Sequence, residues 1–137
     1  MLCATAAVIV AGLLLRVYGY RIGLPFFCVK YGGSLLWGAM VYGLVASALS
    51  KIRPWPVAAA SFALAVAVEL SRLIHTPALD AFRLTLAGAL LLGRIFSPWN
   101  ILAYGLGIAA ALIIDHILLL KRKSTDSQAA DGKVGHS

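Results

Sequence analysis

The stretch ELSRLIHTPALDAFRLTLAGALLLGR, residues 69–94, concentrates charge inside a sequence that is otherwise almost entirely apolar. It holds two of the five acidic residues, Glu69 and Asp80, together with Arg72, Arg83 and Arg94. A charge at the middle of a bilayer costs at least about 2.5–3.5 kcal/mol, so ionisable groups in membrane segments usually face protein or water and suggest function. The stretch therefore predicts a polar site among membrane helices.

The composition of the whole chain indicates that lipid is the solvent for most of it. Of the 137 residues, 61% are apolar and only 12% are charged, about half the roughly 25% of a soluble domain. The apolar runs have helix length, and helices satisfy their own backbone groups in hydrocarbon. We therefore expect an all-α fold, a polytopic transmembrane helix bundle.

Five apolar segments are expected to cross the membrane. They cover about residues 2–18, 31–49, 57–74, 81–96 and 101–120. The fourth is short, because about 16 residues at 1.5 Å each reach near 24 Å, against a hydrocarbon core of about 30 Å. The alternative is four spans plus one re-entrant helix, but the distribution of basic residues favours five spans with a cytoplasmic tail. The tail, residues 124–137, is polar and is expected to be disordered.

Two stripes of small or polar residues recur at i, i+4 spacing, which suits close packing of membrane helices. The first stripe consists of Ser34, Gly38 and Tyr42, and the second consists of Ala103, Gly107, Ala111 and Asp115. The second stripe should face other helices and carry Asp115 inward. Glu69 and Arg72 are three residues apart on a third helix, so they share a face and can pair.

Two pieces of the chain resemble a known family. The first is KYGGSLLWGAMVY, residues 30–42, and the second is VELSRL, residues 68–73, which continues through Pro77 and Asp80 to Arg94. Together they resemble a bacterial family of small inner-membrane proteins described only as a domain of unknown function. The glutamate, the aspartate before a short helix and the glycine-rich helix are also similar to the broader VanZ-like group. The resemblance covers roughly residues 12–118.

The resemblance implies a multi-pass protein of the bacterial inner membrane with no assigned activity. VanZ itself is associated with resistance to the glycopeptide teicoplanin, without an established chemistry. The positions that the resemblance carries over are Lys30, Tyr31, Trp37, Glu69, Asp80, Arg83, Thr85, Gly88 and Gly93. This chain departs from the family pattern at Arg72, where a glutamine commonly follows the glutamate, and its site is therefore more cationic.

In the five-span layout, the charged residues gather near one membrane face. The predicted ligand-binding residues are Arg21, Lys30, Tyr31, Glu69, Arg72, Asp80, Arg83 and Asp115. Arginine and lysine suit a lipid phosphate, and Glu69 would act as a base or a counter-ion. The alternative is that these residues pair with one another and fix the helix register.

Three function classes stay open. The chain either binds an anionic lipid or a lipid-linked cell-envelope precursor, acts as an enzyme on such a lipid, or forms a small transporter or pore subunit. Binding is favoured because Ser71 and Thr85 have no convincing base partner. Glu69, His75 and Asp80 match no zinc spacing, so no metal or cofactor is expected. The expected partners are membrane lipids, with a homo-oligomer or a partner membrane protein as a further option, and no nucleic acid.

Overall fold

The computed structural model describes residues 2–93 and 95–134, and in that part of the chain all regular structure is helical. The helices are α1 (Leu2–Tyr18), α2 (Phe26–Ala48), α3 (Pro54–Ser71), α4 (Pro77–Leu84), α5 (Leu86–Leu91) and α6 (Pro98–Val134). The all-α prediction is confirmed. By length and composition, two described helices suffice to cross a membrane, α3 and the Pro98–Gly132 part of α6, and α1 is a shorter apolar helix.

Proline sets where the long helices begin. The helices α2, α3 and α6 begin at residues 26, 54 and 98, rather than at the predicted 31, 57 and 101. Proline breaks a helix in its interior, but its fixed φ suits the first turn, where its missing N–H is not needed. Pro54 and Pro98 open their helices, and Pro25 directly precedes α2. Lys30 consequently lies within α2.

The single helix predicted over residues 81–96 is wrong. Thr85 interrupts it with extended backbone angles, φ −72° and ψ 158°, and its Oγ1 accepts a hydrogen bond of 3.0 Å from the Gly88 N–H. A threonine that caps a new turn in this way ends one helix and starts another. Residues 81–96 are thus divided between α4 and α5, and Arg94 lies outside the described residues. We refer to residues 72–97, which connect α3 to α6, as the excursion.

Of the four long helices, α2 is the central one and contacts α1, α3 and α6, while α3 also contacts α6. The buried core lies between these helices and includes Tyr42, Val57, Ala65, Tyr104 and Ile108. With α4 and α5 confined to the excursion, five spans are not confirmed. The alternative, four spans plus one re-entrant helix, stays a prediction, because among the described helices only α3 and α6 are long and apolar enough by length and composition to cross a membrane.

The two predicted small-residue stripes form the seam between α2 and α6. A Cβ added to Gly38 would lie 2.8 Å from the Tyr104 Cα, and one added to Gly107 would lie 3.1 Å from the Ala39 backbone nitrogen. Only glycine allows the two backbones to approach this closely. The seam therefore confirms that these stripes face other helices.

The direction of α2 relative to α6 follows from two side-chain contacts. Ser34 contacts Asn100 near the start of both helices, and Tyr42 contacts Asp115 further along both. The helices are therefore parallel, and the turn at residues 49–53 lies at the same end of the bundle as residues 121–123. The five-span layout had placed these two basic segments on opposite sides.

The tail also differs from its prediction. α6 continues past the basic residues 121–123 to Val134, where disorder was expected from residue 124, and residues 135–137 lie outside the described part. Extending an existing helix needs no new nucleus, and the tail contains good helix formers such as Lys, Gln and Ala. Within the described part of the chain, residues 124–134 thus continue α6.

Candidate functional site

The candidate site begins with Glu69, which lies on the buried face of α3. Val57, Ser61, Ala65 and Glu69 follow one another at i, i+4 spacing, and all four are buried. The side chain of Glu69 is 0% exposed. Because Glu69 is in the last turns of α3, this stripe carries its carboxylate against the beginning of α6.

Four hydrogen-bond donors surround the Glu69 carboxylate. Its Oε1 accepts from the Ser97 backbone N–H at 2.8 Å and from the Asn100 Nδ2 at 3.2 Å. Its Oε2 accepts from the Tyr104 hydroxyl at 2.9 Å and lies 2.6 Å from the Arg72 Nη1. An ionised carboxylate has about four lone-pair positions. All of them are therefore occupied by groups of the protein itself.

Arg72 is also buried, with 9% of its surface exposed, and its guanidinium is bound by groups of the protein. Its Nη2 donates to the Tyr104 hydroxyl at 2.9 Å and its Nη1 donates to the Ile95 carbonyl at 3.1 Å. Its Nε donates to the Leu92 carbonyl. The guanidinium thereby binds the carbonyls that follow α5, and it ties the end of the excursion to α3.

Gly93 makes room for this guanidinium. Its φ is +67°, a left-handed conformation in which glycine is favoured over residues with a Cβ. A Cβ at this position would lie 2.6 Å from the Arg72 Nη2. Both the backbone angle and the lack of a side chain are therefore needed where the chain passes over Arg72.

A second arginine performs a similar task at the other end of the excursion. Arg83 is 3% exposed, and its Nη1 donates to the Ile74 carbonyl at 2.9 Å and to the Asp80 Oδ1 at 3.1 Å. Its Nη2 donates to the Ser71 carbonyl. Arg83 thus binds the carbonyl of Ser71, the last residue of α3, and that of Ile74 in the turn that follows the helix. His75, on the surface, lies 3.4 Å from the same Asp80 oxygen.

The network extends from α6 to α2 through polar and aromatic contacts. The Ser34 hydroxyl donates to the Asn100 Oδ1 at 3.3 Å, and the Trp37 ring lies 4.7 Å from the Tyr104 ring between centroids. Asn100 and Tyr104 therefore connect Glu69 to the α2–α6 seam. As a result, α3, α6 and the excursion meet at this one carboxylate, and α2 is linked to it through Asn100 and Tyr104.

Asp115 does not belong to this cluster, contrary to the predicted shared pocket. It lies 15 residues after Asn100 on α6, which corresponds to about 22 Å along a helix. Its Oδ2 accepts a hydrogen bond of 2.7 Å from the hydroxyl of Tyr42, a residue that is buried in the core. The error came from counting residues 81–96 as a span, because an extra crossing would have brought Asp115 back to the Glu69 end.

The remaining predicted site residues lie where α1 ends and α2 begins. Arg21 is exposed in the turn between these helices. The Lys30 Nζ lies 5.7 Å from the centroid of the Phe26 ring and 5.4 Å from that of Tyr31, and Phe27 stacks on Tyr31. Within the described residues, Lys30 has no ion-pair partner. This cation–aromatic cluster, Phe26, Phe27, Lys30 and Tyr31, is separate from the buried pairs.

Sequence reasoning missed the residues that complete the carboxylate shell: Ser97, Asn100 and Tyr104. A signal for two of them exists, because Asn100 and Tyr104 are four residues apart and interrupt an apolar helix on one face. The backbone N–H of Ser97 carries no such signal. In the part of the chain that the structure describes, no three His, Cys, Asp or Glu side chains are grouped as a metal site.

The comparisons with known proteins identify a family without an activity. The family model described as "Protein of unknown function (DUF2809)" matches residues 23–108, which is more than half of the chain. The match includes α2 through α5 and the beginning of α6, and therefore the whole Glu69 shell. No solved structure matches the chain.

Proposed function

We propose that this chain, which belongs to the DUF2809 family of proteins of unknown function, is a multi-pass protein of the bacterial inner membrane that binds an anionic lipid. A lipid-linked anionic precursor of the cell envelope presents the same phosphate chemistry. The long helices α1, α2, α3 and α6 cross the membrane, and the excursion stays at one face. A relation to the VanZ-like group is part of the same proposal.

The observation that carries the proposal is the contrast between two sets of cations at that face. Arg72 and Arg83 already donate to protein carbonyls and carboxylates. Arg21 and Lys30 are left with no carboxylate partner in the described residues, and the sequence has no acidic residue before Glu69. Cations near the membrane surface attract anionic lipids. We therefore assign phosphate binding to Arg21 and Lys30.

The aromatic side chains around Lys30 support this assignment. Phe26 and Phe27 are exposed, and Tyr31, on which Phe27 stacks, is of a residue type that is enriched at the membrane–water boundary. The rings at Phe26 and Tyr31 hold the ammonium group on the outer surface of α2, close to where lipid headgroups lie. A cation presented in this way meets a lipid phosphate from the side of the membrane.

The surroundings of Glu69 do not support the alternative in which the chain is an enzyme. A general base needs a free lone pair within reach of the substrate proton, and all four positions of this carboxylate are occupied. Turnover of a lipid substrate that is lost in Glu69→Gln, but with an unchanged melting temperature, would nevertheless establish an enzyme. Ion or solute flux through liposomes that contain the purified protein would establish a pore or transporter.

The test compares two charge-removing double variants in native mass spectrometry. Arg21→Gln/Lys30→Gln should lose retained phosphatidylglycerol, whereas Lys51→Gln/Arg53→Gln removes the same charge at the other end of the bundle and should retain it. Each cation near the surface contributes about 1 kcal/mol, so the affinity should fall roughly 30-fold. Equal retention in both variants, or an equal loss, would refute a site at Arg21 and Lys30.

A further inference from the structure

The excursion has the opposite polarity to that of a water-soluble loop. Its large apolar side chains point outward: Leu86 is 76% exposed and Ile95 is 77% exposed. Its two described arginines point inward, where Arg72 and Arg83 are buried. A loop in water would expose its charges and bury its leucines. The excursion does the reverse, which suits an apolar solvent.

One edge of the excursion remains polar. His75 and Thr76, at the entrance to α4, are exposed, and His75 is within 3.4 Å of the partly exposed Asp80. Further along, the exposed residues at the α4–α5 junction include Leu84 and Leu86. Thr85, between these two leucines, is also exposed, but its hydroxyl donates to the Phe82 carbonyl at 2.6 Å. Among the described residues, the exposed ionisable groups of the excursion, His75 and the partly exposed Asp80, thus lie near its beginning, and exposed apolar side chains follow them.

The excursion also returns to the end of the bundle from which it starts. Ser97, at its end, and Asn100 both donate to Glu69, which lies just before its beginning. The helices α4 and α5 have 8 and 6 residues, so they are about 12 Å and 9 Å long, well below the roughly 30 Å of a hydrocarbon core. Neither helix reaches across a membrane.

We infer that the excursion is a lipid-contacting surface that lies within one leaflet, with Leu84, Leu86 and Ile95 among the acyl chains and the His75 edge at the headgroups. The inference rests on the proposed membrane location, and it assigns a second lipid contact besides Arg21 and Lys30. Short helices with an apolar side and a polar side occupy this boundary in other interfacial segments.

An apolar groove continues this surface toward the middle of the bundle. The groove lies between α3 and α6, has a volume of about 400 Å³, and is lined by Phe62, Pro98, Ile101, Leu102, Gly105 and Leu106. The groove begins at Pro98, directly after the excursion, and the next residue, Trp99, is exposed. Ile95 lies three residues before Pro98 in the chain, and the acyl chains of the leaflet are the matching partner both for its exposed side chain and for the groove.

The test measures which solvent surrounds each part of the excursion. Cys3 and Cys28 are both free and exposed, so Cys3→Ser/Cys28→Ser gives a background without thiols. Single cysteines are then introduced as Leu86→Cys or Ile95→Cys, labelled with a nitroxide and reconstituted into phosphatidylethanolamine–phosphatidylglycerol vesicles. Collision rates with oxygen, which concentrates in lipid, and with a nickel chelate, which stays in water, are measured by electron paramagnetic resonance.

Two matched positions calibrate the result: His75→Cys at the polar edge and Leu106→Cys in the groove, both at exposed residues. The oxygen-to-nickel ratio at Leu86 and Ile95 should approach that at Leu106 and exceed that at His75. Leu84→Cys provides a second position at the α4–α5 junction if one of the variants does not fold.

Each other outcome overturns the inference in a different way. Nickel access at Leu86 and Ile95 with lipid access at Leu106 would place the excursion in water but leave the proposed membrane protein intact. Exclusion of both reagents from Leu86 and Ile95 would show that protein, such as a second copy of the chain, covers the surface. Nickel access at Leu106 would remove the membrane premise and the proposed function with it.

Discussion

Removing the charge of Glu69 should cost far more stability than removing both members of its ion pair. In Glu69→Gln, one amide oxygen can still accept two hydrogen bonds, but the amide NH₂ would face two donors. If the oxygen replaces Oε1, the NH₂ group faces the Tyr104 hydroxyl and the Arg72 guanidinium. Arg72 would then be a buried cation without a counter-charge.

The expected magnitude follows from the burial of the pair. Glu69 is 0% exposed and Arg72 is 9% exposed, so solvent screens their interaction little. Breaking a buried ion pair by removing one partner costs about 3–5 kcal/mol. For a chain of this size, each kcal/mol shifts the melting temperature by about 4 °C. Glu69→Gln and Arg72→Gln should therefore each melt roughly 12–20 °C below the wild type.

The double variant Glu69→Gln/Arg72→Met separates architecture from ligand binding. It removes both charges, and a methionine fills part of the volume of the arginine, so much of the loss should be recovered. The assay is thermal unfolding in detergent, with and without added phosphatidylglycerol. A structural pair gives the same mutual rescue in both conditions. Wild-type stability of Glu69→Gln, or rescue that appears only with the lipid, would refute the reasoning.

Two further predictions use the α2–α6 seam. Gly38→Ala should destabilise the protein because the added Cβ would approach the Tyr104 backbone. Gly33→Ala on the same helix is the control, since its Cβ would enter open space, and it should be neutral or stabilising by up to about 1 kcal/mol. Equal melting temperatures for the two variants would disprove the tight crossing. Single cysteines at Lys51 and Lys123 should react with an impermeant maleimide from the same side of the membrane, because α2 and α6 are parallel; labelling from opposite sides would restore the five-span layout.

Helix class and helix faces were predictable from the sequence because hydrophobicity and periodicity determine them. The stripes at Ser34–Gly38–Tyr42 and at Ala103–Gly107 both face other helices as expected, and the structure adds that they face each other. The interruption at Thr85 was not predicted, since an apolar run gives no indication that a hydroxyl will cap a new helix within it. That single residue changed the number of long helices and hence the side on which Asp115 was placed.

The site was predicted in part, and the missing part has a common physical nature. Glu69, Arg72, Asp80 and Arg83 were all identified, and the i, i+3 pairing of Glu69 with Arg72 is observed. Many of the bonds that hold these groups, however, involve backbone atoms such as the carbonyls of Leu92, Ile95 and Ile74. Every residue has a carbonyl, so no side-chain pattern could indicate which of them an arginine would bind.

Charge in an apolar sequence therefore indicates a constrained site without distinguishing a ligand site from an architectural one. Counting free positions on each charged group makes the distinction. Glu69 has four donors for about four lone-pair positions, so a ligand must displace a protein group to reach it. Lys30 has three donors and, within the described residues, no anionic acceptor. A phosphate can bind Lys30 without breaking any hydrogen bond or ion pair of the fold. We therefore assign phosphate binding to Lys30 and stabilisation of the fold to Glu69.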